Sequence, residues 1–267
     1  MMISDPFSAK YILINGTDMK KLFVLIVLLK FGIGLSAQSF VAVNNGMRLC
    51  YNIISVADKT VEIVNNKNVK YKDAYVVIPS TVDYKGETYT VIAISDKAFS
   101  NNSKIESIEL PNTVTNIGEK AFIGCTKLTQ VKFSSGLEEI GEMAFAFCIK
   151  LDDIELPEGL QRIGEQAFQT CPLEKIDIPN TVTFIGRRAF FSGNSFISQD
   201  SKIKWLSIPE SVVEIGKQAF CKFINLMGTA LPSKCHIELL PSWLDESEAK
   251  RIGISEDSYK DYKSRNN

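Results

Sequence analysis

Residues 105–125, IESIELPNTVTNIGEKAFIGC, residues 128–148, LTQVKFSSGLEEIGEMAFAFC, and residues 151–171, LDDIELPEGLQRIGEQAFQTC, are one unit written three times. The Ala-Phe pair sets the register: Phe99, Phe122, Phe145 and Phe168 follow one another at steps of 23, Phe190 after 22 and Phe220 after 30. Cys125, Cys148 and Cys171 keep the step of 23. A fixed period between about 20 and 50 residues is the mark of a stacked-repeat architecture and outranks any local reading. It predicts a solenoid of stacked ~23-residue repeats, a parallel β-sheet with short helical turns.

The unit reads Leu-x-x-Ile-x-Leu-Pro, then Val-x-x-Ile-Gly-x-x-Ala-Phe-x-x-Cys. Its first part suits a strand with Ile105, Ile108 and Leu110, or Leu128, Val131 and Phe133, turned to one side. Pro111, Pro157, Pro179, Pro209 and Pro232 close the strands, because proline has no N–H for a ladder; Ser134 stands there once. Gly118, Gly141, Gly164, Gly186 and Gly216 are expected to supply a turn that a Cβ resists. The four residues after each glycine are expected to make one helical turn. Stacking at strand spacing, about 4.8 Å, lines the phenylalanines into a spine.

The Ile-Gly-x-x-Ala-Phe-x-x-Cys unit after a Leu-Pro strand resembles the BspA-type leucine-rich repeats, found in secreted and surface proteins of Bacteroides-like bacteria. The resemblance covers residues 75–232, and the ends of the chain are similar to that family's caps. It implies a leucine-rich-repeat solenoid and a role in protein binding or adhesion, host matrix proteins included. It names no ligand.

Outside the array, residues 19–37 carry Lys20 and Lys21, an apolar run over 22–29 and Leu-Ser-Ala before Gln38, the layout of an export signal peptide. The run falls short of the roughly 20 residues a membrane span needs. Residues 1–18 precede this basic start and are expected to be a misassigned upstream extension. Residues 38–78 alternate like a β-hairpin cap, with 47–55 and 60–64 as its strands; a separate small β-domain is the other reading. Residues 79–232 hold the repeats, the first carrying an inserted hairpin that turns at Lys85-Gly86. Residues 233–267 read as a C-terminal cap, with a short helix stopped near Gly253 and a last polar turn at 257–263.

The 267-residue chain has a formal net charge of −1, and −3 after removal of residues 1–37. That balance excludes the basic field a nucleic-acid partner needs. Six cysteines in an exported chain invite disulfides. Residues stacked at one repeat position, however, keep their Cβ atoms about 5 Å apart, beyond a disulfide's usual 3.5–4.5 Å. Cys125, Cys148 and Cys171 are therefore expected to form a reduced ladder of small apolar groups that meet backbone carbonyls. No zinc-ligand spacing, phosphate loop or nucleophile elbow occurs, and no cofactor is implied. The lone His236 adjoins Cys235, but neighbours on an extended chain point to opposite sides, which spoils a catalytic dyad. The chain reads as no enzyme.

Outward positions on the strands give the candidate ligand-binding face: Glu109, Lys132, Asp153, Glu155, Lys175, Asp177 and Trp205. Trp205 serves either a partner or the packing of a loop. A second candidate is the insertion after Phe190, where Phe191, Asn194 and Phe196 offer a binding loop or anchor a tolerated one. The expectation is an exported, monomeric protein, secreted or held at the cell surface or in the periplasm. Its partner is a protein ligand from host extracellular matrix or cell envelope, with no nucleic acid and no membrane insertion. An envelope scaffold and a carboxylate-dependent hydrolase are the alternatives from other classes.

Overall fold

A computed structural model describes residues 39–44, 46–65, 71, 73–191, 203–220, 236–240, 244–252 and 254–266. All belong to the compact unit Gln38–Asn267. The chain starts as an antiparallel meander of β1 (Ser39–Asn44), β2 (Met47–Ser55) and β3 (Thr60–Ile63). The β2–β3 hairpin is the one the alternation called for; β1 went unread. The inserted hairpin joins β5 (Thr81–Tyr84) to β6 (Glu87–Ile94) through Lys85 and Gly86, at φ of 53° and 83°. Two left-handed residues in succession make the turn whose twist matches paired strands.

The coils of the solenoid then contribute two sets of short parallel strands. One set comes from Leu-x-x-Ile-x-Leu, as expected at 107–109, 130–132, 175–177 and 205–207, and is flanked by strands at 75–77 and 236–239 in stretches read as caps. β4 (Tyr75–Val77), β7 (Ser107–Glu109) and β9 (Gln130–Lys132) form one sheet, and β12 (Lys175–Asp177), β14 (Trp205–Ser207) and β16 (His236–Leu239) another. The second strand went unread because it is two residues long, the pair ending on the isoleucine before each glycine. β8 (Asn116–Ile117), β10 (Glu139–Ile140), β11 (Arg162–Ile163), β13 (Phe184–Ile185) and β15 (Glu214–Ile215) continue in register from β6. The cap and the repeats thus share one sheet.

The glycines do not serve the purpose expected of them. None of the five has a positive φ. They are glycine because adjacent coils touch there. A Cβ on Gly164 would lie 2.5 Å from the Gly141 carbonyl carbon, and one on Gly216 would lie 2.2 Å from the Arg187 nitrogen. Each clash is with the preceding coil. The first coil carries Ser95 at this position, and its amide bonds Ile63 of the cap at 2.8 Å.

The segment after each glycine is a run of tight turns rather than a helical turn. Lys97, Lys120, Met143, Gln166, Arg188 and Gln218 are all left-handed, at φ of 53° to 61°. Amides then alternate in direction. Lys120 N and Phe122 N bond Glu142 O and Ala144 O of the next coil at 2.8 and 2.7 Å, whereas Ala121 N and Ile123 N bond back to Gly118 O and Lys120 O. This pattern satisfies every second amide across the coil boundary, so the turns themselves hold the stack together.

The phenylalanine spine forms as expected. Rings of Phe99, Phe122, Phe145, Phe168, Phe190 and Phe220 stack at centroid spacings of 5.1, 5.0, 5.3, 5.4 and 5.5 Å, and all six are buried. The cysteine ladder runs beside it. Cys125, Cys148 and Cys171 are reduced, and each thiol donates to the carbonyl of Phe99, Phe122 and Phe145 in turn at 3.2 Å. Cys50 is also reduced and buried, while Cys221 and Cys235 lie outside the described residues.

The C-terminal end closes with two helices. α1 (Glu246–Ile252) is capped by Asp245, whose carboxylate accepts the Glu248 amide at 2.8 Å. Its last residues continue the ladder, as Phe220 N bonds Ile252 O at 2.9 Å. The expected last polar turn is the longer α2 (Glu256–Asn266), capped by Ser255, with Tyr259 and Tyr262 buried. The mean sequence polarity of this segment hid the two tyrosines that dock it.

Candidate ligand-binding face

Strand register places the outward side chains in two rows across the coils. Tyr75, Ser107 and Gln130 stand in line in the first sheet, and Lys175 beside Trp205 in the second. Val77, Glu109 and Lys132 make the other row, continued by Asp177 and Ser207. By repeat position Asp153 and Glu155 fall between the two sheets. Tyr75 is 70% exposed and Val77 54%. Neither is among the face residues read from the sequence, because the inserted hairpin interrupts the count there.

The charges on this face are mostly paired. Lys132 Nζ lies 2.6 Å from Glu109 Oε1, Lys175 Nζ 3.5 Å from Asp177 Oδ2, and Lys204 Nζ 2.8 Å from Glu174 Oε2. All are exposed, so each pair contributes about 0–1 kcal/mol. Asp153, Glu155 and Glu158 make no ion pair among the described residues. Trp205 is half-buried.

The face is interrupted at residues 151–156, which form no strand although their sequence matches the other coils. The ladder begins, with Glu174 N on Asp152 O at 3.3 Å, and then stops. The sequence departs from the repeat on one side of the break. From cysteine to the first strand residue is three positions at Cys125–Leu128 and Cys148–Leu151, but two at Cys171–Leu173, with Pro172 between. Leu128 N and Leu151 N each bond their cysteine carbonyl at 3.0 Å; Leu173 N has no such bond. The shortened connection lies at the break, where the one ladder bond joins the same repeat positions as Thr129 N to Glu106 O. On the other side stands Phe133, bulkier than the Leu110 or Ile178 at its position, its ring edge-on to Phe145 at 5.6 Å.

A groove of about 500 Å³ opens at the break. It is lined by Asp153, Glu155, Glu158, Lys175 and Asp177, with Ile154 and Leu156 on its apolar side. Those two are only half-buried, whereas Ile108, Ile176 and Leu206 at the position of Ile154 are fully buried. Of the strand-face residues singled out from sequence, the structure brings Asp153, Glu155, Lys175 and Asp177 into this groove. Glu109 and Lys132 pair with each other elsewhere on the face, and Trp205 stands beside Lys175 without lining the groove. Phe191 is buried, with the Arg188 guanidinium 5.1 Å above its ring, and so anchors the start of the insertion. Asn194, Phe196 and the Cys235-His236 side chains lie outside the described residues. Among the described residues no helix is long and apolar enough to cross a membrane, and no cluster of His, Cys, Asp or Glu is placed to hold a metal ion.

Coils of two short parallel strands, closed by turns and stacked on a phenylalanine spine, define a leucine-rich-repeat solenoid. The chain belongs to the family described as BspA type leucine rich repeat region, which matches it in six copies over residues 87–197 and 191–260. Three solved structures are similar. A leucine-rich repeat protein from Bacteroides ovatus is 26% identical with a TM-score of 0.52, over 71% of this chain and 59% of its own. A leucine rich cell surface protein from Faecalibacterium prausnitzii is 27% identical with a TM-score of 0.50, over 76% of this chain and 55% of its own. The T. pallidum leucine rich repeat protein shares the fold at 24% identity and a TM-score of 0.53, over 80% of this chain and 91% of its own. The chain thus spans little more than half the length of the first two. No curated protein matches the sequence.

Proposed function

We propose that this chain is an exported, non-enzymatic contact protein of the adhesin kind, holding a protein ligand on its strand face. The observation that carries this reading is convergence: Asp153 and Glu155 from one coil and Lys175 and Asp177 from the next line a single groove. The stacked coils on either side are held by ladders of backbone hydrogen bonds, and loosely paired side chains on such a scaffold suit recognition. The signal-like stretch at 19–37 supports export, and the Faecalibacterium relative is named a cell surface protein.

The test is a pull-down from host-matrix and cell-envelope extracts, using the purified protein and the variant Asp153→Lys, Glu155→Lys, Asp177→Lys. A matrix partner lost in the variant, with its circular dichroism unchanged, is the expected result. A partner held equally by both proteins removes the groove as the site. A partner found only in envelope extracts replaces adhesion with a scaffold role.

A further inference from the structure

We propose that the groove at residues 151–156 takes an extended polypeptide segment carrying lysine or arginine. This rests on the protein-binding reading above and names the chemistry of its partner. Three features of the groove act together. Its walls hold four carboxylates, Asp153, Glu155, Glu158 and Asp177, against the single ammonium of Lys175. Lys175 is already engaged with Asp177 at 3.5 Å, which leaves Asp153, Glu155 and Glu158 with no cation among the described residues. An incoming cation therefore meets complementary charge, and an acidic or phosphorylated segment meets repulsion.

The apolar side selects a polypeptide over a free cation. Ile154 and Leu156, half-exposed where Ile176 and Ile178 of the next coil are covered, offer a contact for the aliphatic stems of lysine or arginine or for alternate apolar side chains. The backbone adds a third requirement. In the regular coils the central strand residue engages one adjacent coil through both its N–H and its C=O, as a parallel ladder requires; the peptide N–H and C=O of Ile154 bond neither flanking coil. An extended chain supplies a donor and an acceptor to such groups, in the manner of partners that add to a sheet.

The test uses the purified protein and three fluorescein-labelled ten-residue peptides: alternating lysine and valine, alternating glutamate and valine, and the lysine peptide N-methylated at every second residue. Fluorescence anisotropy is read at low and at physiological salt. The expected result is binding of the lysine peptide, binding at least about tenfold weaker for the N-methylated one, and none for the glutamate peptide. The variant Asp153→Asn, Glu155→Gln, Asp177→Asn is expected to lose about tenfold, as removal of three exposed charges predicts. Amide exchange of the wild-type protein with bound peptide is expected to slow at 153–155, a readout that needs no variant to fold.

Equal binding of the plain and N-methylated peptides reduces the site to charge attraction and overturns the proposal. Binding unaffected by the neutralised variant, or no binding of the lysine peptide, also overturns it. In that last case a matrix partner lost on charge reversal would still stand, so the two readings fail separately.

Discussion

Gly164 stands so close to Gly141 in the preceding coil that a Cβ on it would lie 2.5 Å from the Gly141 carbonyl carbon. Real Cβ contacts do not reach that distance, so any side chain there must push two coils apart. Gly164→Ala is expected to cost about 1–3 kcal/mol or more, as overpacking does. A urea unfolding curve decides it, and a midpoint unchanged from wild type would show that the coils can part freely. An exposed pair on the strand face gives the contrast: Glu109→Ala removes the Lys132 contact and should cost under about 1 kcal/mol.

Phe145 is buried between Phe122 and Phe168 at 5.0 and 5.3 Å, with Phe133 against its edge. Three ring contacts are lost at once in Phe145→Ala, for an expected loss of about 3–5 kcal/mol. Denaturant unfolding measures this, and a loss under about 1 kcal/mol would contradict a spine that carries the stability of the stack.

The thiol ladder should announce itself at alkaline pH. Burial holds the Cys125 and Cys148 thiols well above their ordinary range, with Cys171 adding to the effect on Cys148. The unfolded chain ionises near the ordinary thiol pKa of about 8.5, while the folded chain keeps its protons. Their stabilisation is therefore complete below that pH and declines as pH rises past it. The urea midpoint should fall between pH 8 and pH 10, and fall less in Cys125→Ala, Cys148→Ala. Ellman's reagent should reach these thiols only after unfolding; immediate reaction in the native protein would mean the ladder is open.

The one-residue shortening at Cys171–Leu173 lies beside the interrupted face. Inserting one residue between Pro172 and Leu173 should restore the step of 23, pair residues 153–155 with their neighbours and slow amide exchange at Ile154. Exchange as fast as in the wild type would move the cause to Phe133.

How much of this was legible in the sequence depended on repetition. The spine, the cysteine ladder and the first strand of each coil repeat the same residue type, so the eye averages over copies. The second sheet is carried by strands of two residues, such as Asn116–Ile117, too short for alternation to register. The left-handed positions hold Lys120, Met143 and Gln166, residues with no preference for that conformation, and are imposed by the hydrogen bonds between coils. The glycines were visible, but a contact between coils leaves the same mark in a sequence as a turn does. Asp153, Glu155, Lys175 and Asp177 were legible as a face. Their convergence was not, because residues 151–156 match the paired coils in sequence and carry no local mark of the break.

Ser95 has a consequence for how such an array lengthens. Behind it lies the cap strand that holds Ile63, and no earlier coil. A gene duplication that copied this first coil into the interior would place Ser95 against a preceding backbone, as at Gly118, whose absent Cβ would lie 2.6 Å from the Asp96 nitrogen. Copies of the coils that begin with Gly141 or Gly164 would meet no such obstacle. The array has a direction of growth: new units can be drawn from its middle, and the founding unit must stay first.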